Sequence, residues 1–473
     1  MQHKTKKHWL QGIFIAGGVL LLAFLALLFR PEWEHMDKNN YTPGRVPIMV
    51  IGDSDSHSYR DSYYGTHRGG KYHNVTFQWT EILARIRPSE VDLGPFGFWG
   101  SHNTIYRIRK FLGLYARPRK QDFKYNFAVS GATCNTLPPQ SFLRQSYLAS
   151  RLINNNPRYW NNGLVIIRIG INDFGQWRHL KKYVDGNITP QIKKPILNCI
   201  GRIKDTVSLI RTSSASVKII LLGIMDNSNW PPVMPLDDTG HRNINKVLDI
   251  YDDGLRAIAR KDTNILFVED RKWVEQLIGY WNSKKHIGHR EINLGGKTNI
   301  SNSAGDNPHN IILNDEHSGT VLNGLWIRHL FHKLNDHFGT GFTPLLNSEI
   351  ADLADPSGQF GIAPAKPDKT DGPSIRLASD DIVLSTESFG DYRLSFVATD
   401  ADGNDISETA TAYIESGNGP RLYLFGDGRH LRFDASRHVP GKYTLTLQVQ
   451  DRYQRKASRQ IPLIIEPSTK AEQ

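Results

Sequence analysis

The sequence predicts a three-layer α/β/α domain on a parallel sheet, followed by a small all-β domain. Three observations carry this. Between residues 45 and 340, short apolar runs alternate with longer helical patterns. The runs are apolar at successive positions, as expected of parallel strands covered by helices on both faces. Beyond a stretch rich in Pro and Gly at 341–373, where Pro356, Pro364, Pro367 and Pro373 fall, the apolar period becomes two.

The first strand is expected over 46–51, where four apolar residues precede Gly52. A polar insertion rich in Tyr, His and Gly follows at 55–73 and reads as a loop. A helix comes next, with Trp79, Ile82, Leu83 and Ile86 on one face. Further strands are predicted over 125–129, 164–169, 217–222 and 265–268, with helices near 141–153 and 244–259 and a last one over 320–338. Between 192 and 210, Ile192, Ile196, Cys199, Ile203, Val207 and Ile210 recur at spacings of three and four, the stripe of an amphipathic helix. In residues 374–468, Tyr392, Leu394, Phe396 and Ala398 alternate with polar residues, as do Tyr443, Leu445, Leu447 and Val449. About seven short strands separated by turn signals predict an immunoglobulin-like sandwich.

Residues 1–8 carry Lys4, Lys6 and Lys7, and 9–29 are almost wholly apolar. About 20 such residues is the length that spans a bilayer. With the lysines on the cytoplasmic side, 9–29 is expected to be an uncleaved anchor, 30–44 a tether, and the body periplasmic or extracellular. The formal charge of +11 favours polyanionic surroundings, a membrane surface or an acidic polysaccharide. Zinc-finger spacing, an RNP-like motif and a sustained basic helix are all missing, which argues against nucleic acid. The two cysteines, Cys134 and Cys199, exclude a disulfide scaffold. They either pair after export or stay thiols, since Cys199 falls on an apolar stripe. His57, His67 and His73 show no repeated ligand spacing, and the run at 400–405 lacks the carboxylate that closes an EF-hand loop.

Three predicted strands end in turns suited to chemistry: Gly52-Asp53-Ser54, Ser130-Gly131-Ala132-Thr133 and Gly170-Ile171-Asn172-Asp173. His317 lies just before the last helix, in the stretch 314–320. Ligands of open α/β sheets bind at such strand ends. In this order the four blocks resemble those of the GDSL/SGNH hydrolase family, with Ser54, Gly131, Asn172 and His317 at the matching positions. The resemblance spans roughly residues 45–338 and implies a flavodoxin-like sheet. It also implies a Ser54 nucleophile, a His317 base, and an oxyanion hole from the N–H groups of Ser54 and Gly131 and the Asn172 amide.

One position departs from the family pattern. The family's acid lies three residues before the histidine, and here that residue is Asn314. Asp315, two before His317, is the expected substitute; Asn314 or a backbone carbonyl orienting the imidazole is the alternative. The mechanism calls for no metal or cofactor. The expected function is a membrane-anchored serine esterase acting on O-acyl esters, chiefly O-acetyl, of envelope or extracellular polysaccharide. An O-acetyltransferase using the same serine and a non-catalytic glycan-binding protein are the alternatives. The C-terminal sandwich is expected to serve as a spacer or to contact protein or glycan.

Overall fold

The structure, a computed structural model, describes Gly18 and residues 44–62, 68–230, 236–279, 290–363, 372–385 and 394–401. Within the C-terminal region it further describes 403, 405–407, 410–415, 422–426, 430–432, 440–451 and 455–467. The anchor expected at 9–29 therefore lies outside the described residues except for Gly18. Among the described residues no helix is long and apolar enough to cross a membrane.

Seven strands of the α/β domain are β1 (Val46–Gly52), β2 (Val91–Asp92), β3 (Phe96–Trp99), β4 (Lys120–Phe123), β5 (Leu164–Arg168), β6 (Lys218–Leu222) and β7 (Ile265–Val268). Five of them form a sheet in the order β2-β1-β5-β6-β7, with every pairing parallel. β3 and β4 pair as a separate antiparallel ribbon. The sheet explains the continuous apolar runs. Ile48, Val50, Ile166 and Ile220 pack into one core, with Trp326 of the helix Thr320–Phe338. Met49, Ile51, Val165, Ile167, Ile219 and Leu221 pack into another, with Ile196 and Ile203 of the helix Pro190–Ser213. β1, β5 and β6 are thus buried on both faces, and their alternate residues serve different layers.

Two expectations are corrected. The run 125–129 is extended beside β1, since Val50 N–H donates to Tyr125 C=O, Phe127 N–H to Val50 C=O and Val129 N–H to Gly52 C=O. Yet it forms a single bridge, Asn126 to Val50, rather than a strand. The expected linker 341–373 begins inside the domain: the helix Asn347–Ala354 lies there. Phe342, Leu345, Ile350, Ala351, Ala354 and Ile362 are all buried in the same core as Trp326.

Among the described residues of the C-terminal region, eight strands from Ser374–Leu377 to Lys456–Glu466 hydrogen-bond in one continuous order. Their inward residues, including Phe396, Leu447, Ile461 and Leu463, form a separate core.

Candidate active site

The turn that carries Ser54 is built by close backbone approach. Gly52 ends β1 opposite Arg168 of β5, and a Cβ on Gly52 would lie 2.4 Å from the Arg168 carbonyl oxygen, so only glycine fits there. Gln145 satisfies both backbone groups of Gly52, accepting from its N–H at 2.8 Å and donating to its C=O at 3.0 Å. The next residues, Asp53 and Ser54, are buried. Asp53 C=O accepts from the N–H groups of Ser56 and His57, closing the turn. Burial, then the neighbouring Asp55 charge, pushes the Asp53 carboxyl well above the usual range.

The two loops expected to supply oxyanion donors meet. Gly131 has φ +78° with open space around its Cα, so it is conformation rather than crowding that favours glycine. Asn172 lies in the turn Ile171–Gly175 that follows β5. Its amide donates to Ala132 C=O at 2.9 Å and accepts from Gln176 at 2.9 Å. Beside it, Asp173 accepts from the Cys134 N–H at 3.0 Å. Burial raises the Asp173 carboxyl to about 6, with that N–H working against the shift. Cys134 and Cys199 form a disulfide, with Cα atoms 5.0 Å apart, that fastens this loop to the helix Pro190–Ser213.

His317 is positioned by the segments around it. The Tyr59 hydroxyl donates to Ser318 C=O at 3.0 Å, and Thr320 Oγ1 accepts from the Phe77 N–H at 2.9 Å. The chain after the nucleophile turn is thereby tied to the chain after His317. Asp315 approaches the imidazole with two oxygens: its carbonyl is 2.9 Å from His317 Nδ1 and its Oδ1 is 3.1 Å away. Burial would push the Asp315 carboxyl up. The His317 hydrogen bond and the His317 and Arg68 charges outweigh it and hold the group well below the usual carboxylate range. Asn314 is not an orienting group here. Its side-chain amide donates to Asp306 at 3.0 Å, and its backbone N–H points to the same carboxylate.

Two groups escaped the sequence reading. The first is Arg68, whose Nε donates to Asp315 Oδ2 at 2.6 Å and whose Nη2 lies 3.2 Å from His317 Nε2. Arginine offers donors only, so Nε2 must be the accepting nitrogen and Nδ1–H donates to Asp315. Among the described residues no hydrogen bond joins Ser54 Oγ to His317. The only signal for Arg68 in the sequence is its place against Gly69 and Gly70 in the polar insertion. The second is a buried network behind Gly131. His57 Nδ1 accepts from the Ser130 N–H at 3.1 Å and lies 2.9 Å from Ser130 Oγ, while Nε2 donates to Asp61 Oδ2 at 2.9 Å. Burial, helped by the Lys120 charge, pushes the His57 imidazole down to about 4, so it is neutral. His73 donates to the Arg68 carbonyl at 2.8 Å. His57 and His73 thus serve different parts of the site, and His67 lies outside the described residues.

Residues 48–272 match the GDSL-like lipase/acylhydrolase family; the match ends before the segment that carries His317. No curated protein matches the chain. Among solved structures, a family 3 carbohydrate esterase of Clostridium thermocellum is similar at 16% identity, with 51% of this chain and 88% of that chain covered and a TM-score of 0.22. A family 3 carbohydrate esterase of Talaromyces cellulolyticus is similar at 13% identity, with 52% and 88% covered and a TM-score of 0.24. A peptidoglycan O-acetylesterase is similar at 11% identity, with 56% and 90% covered and a TM-score of 0.24. Scores this low add nothing to the family match.

Proposed function

We propose that this chain, whose residues 48–272 belong to the GDSL-like lipase/acylhydrolase family and so carry an ester hydrolase, is a membrane-anchored, exported serine esterase. Its substrates in this reading are O-acyl groups, chiefly O-acetyl, on envelope or extracellular polysaccharide. The observation that carries the reading is the Asp315 carboxylate held 3.1 Å from His317 Nδ1, in a segment tied to the chain after Ser54 by the Tyr59–Ser318 hydrogen bond. A scaffold that only bound glycan would have no use for that pairing.

Ser54 Oγ attacks the ester carbonyl as His317 Nε2 takes the hydroxyl proton. Charge developing on the carbonyl oxygen is met by the Ser54 and Gly131 N–H groups and the Asn172 amide, each such donor contributing about 3 kcal/mol. Collapse of the tetrahedral intermediate expels the alcohol, which receives the proton from His317. Water, deprotonated by the same imidazole, then releases the acid and regenerates Ser54. Asp315 keeps Nδ1 protonated and stabilises the imidazolium that forms at each proton transfer.

The anchor rests on the apolar stretch at 9–29 and its lysine flank. Export is supported by the Cys134–Cys199 disulfide, a bond typical of oxidising compartments. A polysaccharide substrate is supported by location and by the charge of +11. The C-terminal region, read as an immunoglobulin-like sandwich, serves as a spacer or a contact surface.

The test is hydrolysis of p-nitrophenyl acetate and butyrate by the detergent-purified chain and by Ser54→Ala. Activity lost in the variant establishes the serine esterase. Activity in neither folded protein overturns it and directs attention to acetyl transfer between sugars.

A further inference from the structure

Arg68 occupies the one imidazole nitrogen that catalysis needs. Its Nη2 donates into His317 Nε2 at 3.2 Å, and a nitrogen receiving that hydrogen bond cannot at the same time take the proton of Ser54. The guanidinium is well held. It lies over the Tyr59 ring, 4.9 Å from the centroid, and its Nε is paired with Asp315. Its backbone carbonyl is fixed by His73. The residue is 9% exposed, yet its third nitrogen, Nη1, is buried with no hydrogen-bond partner among the described residues. A buried guanidinium N–H without an acceptor costs free energy, and the geometry of a guanidinium fork suits a carboxylate above other groups.

We propose that Arg68 is the substrate-anion receptor of this site, and that the ester it serves is carried by a carboxylate-bearing glycan of the uronate type. This rests on the esterase reading above. The substrate carboxylate takes the unpartnered Nη1 and draws Nη2 from His317 to itself, which frees Nε2 for the Ser54 proton. Asp315 keeps Nε, so the imidazole remains oriented while the base is released. A bound anion thereby raises the fraction of enzyme whose Nε2 is free to act as the base, and the arrangement gives the polar insertion after Ser54 a role in specificity. The overall positive charge of the chain acts in the same direction at longer range.

The experiment measures acetate release by the full chain from O-acetylated polygalacturonate and from the same polymer with its carboxyl groups methyl-esterified. Wild type is expected to favour the anionic polymer in kcat/KM by about tenfold or more, the range for a hydrogen bond to a charged group. Arg68→Met erases that preference, chiefly through KM, and Arg68→Lys keeps part of it. Free galacturonate is expected to accelerate p-nitrophenyl acetate hydrolysis by wild type and not by Arg68→Met. Equal losses on both polymers in Arg68→Met and Arg68→Lys would show that Arg68 only supports Asp315, and would overturn the proposal. So would a wild type indifferent to methyl esterification. If no acetate is released from any substrate, the esterase reading fails, and Arg68 is judged by binding of polygalacturonate to the Ser54→Ala chain. A tenfold weaker affinity on adding Arg68→Met sustains the anion receptor; an unchanged affinity overturns it as well.

Discussion

Asp315 meets His317 across a single intervening residue, with its carbonyl 2.9 Å and its carboxylate 3.1 Å from the same Nδ1. The carboxylate that meets the imidazole is therefore two residues before the histidine, and Asn314 is turned away to Asp306. Asp315→Asn keeps the shape and removes the charge that stabilises the imidazolium. In the serine-protease triad that change costs about 10⁴ in kcat. The retained carbonyl contact softens it here, so a loss of about 10²- to 10⁴-fold is expected. Asn314→Ala should cost less than about threefold, because its side chain pairs with Asp306 and not with His317. Ester hydrolysis by the two variants in parallel decides between them.

Glu316 makes the short spacing work. Its φ is +66°, a left-handed conformation that side chains other than Gly, Asn and Asp adopt uncommonly. The kink turns both Asp315 oxygens toward the ring. Glu316→Val places a β-branched residue at positive φ, where the strain is of the order of 1–3 kcal/mol. We expect a lower Tm together with a kcat reduced by about tenfold or more, because misplacing a catalytic group by about 1 Å can cost as much as 10²-fold. A kcat unaffected despite the lower Tm would show that the kink is structural alone.

The parts legible in the sequence are those where burial writes a local pattern. Strands covered on both faces give the continuous runs of β1, β5 and β6, and the helix Thr320–Phe338 begins and ends where its apolar stripe does. The run 125–129 looks the same from its composition, but it hydrogen-bonds to β1 through alternate residues only and forms one bridge. The helix Asn347–Ala354 was masked by the prolines that follow it, although Leu346, Ile350 and Ala354 already carry its helical spacing. Ser54 and Asn172 are legible because each follows a strand, and Gly131 because it follows the extended apolar run 125–129. Arg68 is not: its contact with Asp315 joins positions 247 residues apart, and no period or motif connects them. The same holds for His57, whose partner Ser130 lies 73 residues away.

The disulfide gives a redox prediction. Cys134 follows the Gly131 loop by three residues, and the bond to Cys199 closes a separation of 65 residues. On the chain-entropy relation such a loop is worth about 4 kcal/mol. Cys134→Ser/Cys199→Ser should therefore lower stability by a few kcal/mol, read as a denaturation midpoint. It should also lower kcat more than it raises KM, because in the proposed mechanism the loop it loosens carries an oxyanion donor. Reduction of wild type by dithiothreitol should reproduce the effect, and a reduced enzyme with full kcat would remove the loop from the oxyanion argument.

His57 supplies a pH dependence of defined sign. The folded imidazole is pushed down to about 4 by burial and the Lys120 charge, against 6.5 for an ordinary histidine. The unfolded chain therefore binds the proton more readily. The contribution of His57 to stability is complete above pH 6.5 and declines as pH falls toward 4, where the folded form also protonates. A difference of this size corresponds to roughly 3 kcal/mol over the whole window. Asp173, raised to about 6, and Asp270, raised to about 7 by burial against the Arg168 charge, act with the opposite sign over overlapping pH. The informative quantity is therefore the difference between wild type and His57→Gln. Denaturant unfolding between pH 7 and pH 4.5 should show a slope of ΔG against pH that is smaller in the variant by up to about 1.4 kcal/mol per pH unit. The same protonation removes the acceptor of the Ser130 N–H and slackens the loop before Gly131. Wild-type kcat should therefore fall further below pH 5 than that of the His57→Gln enzyme, each measured relative to its own value at pH 7. Parallel pH profiles for the two enzymes would assign His57 to stability and not to the site.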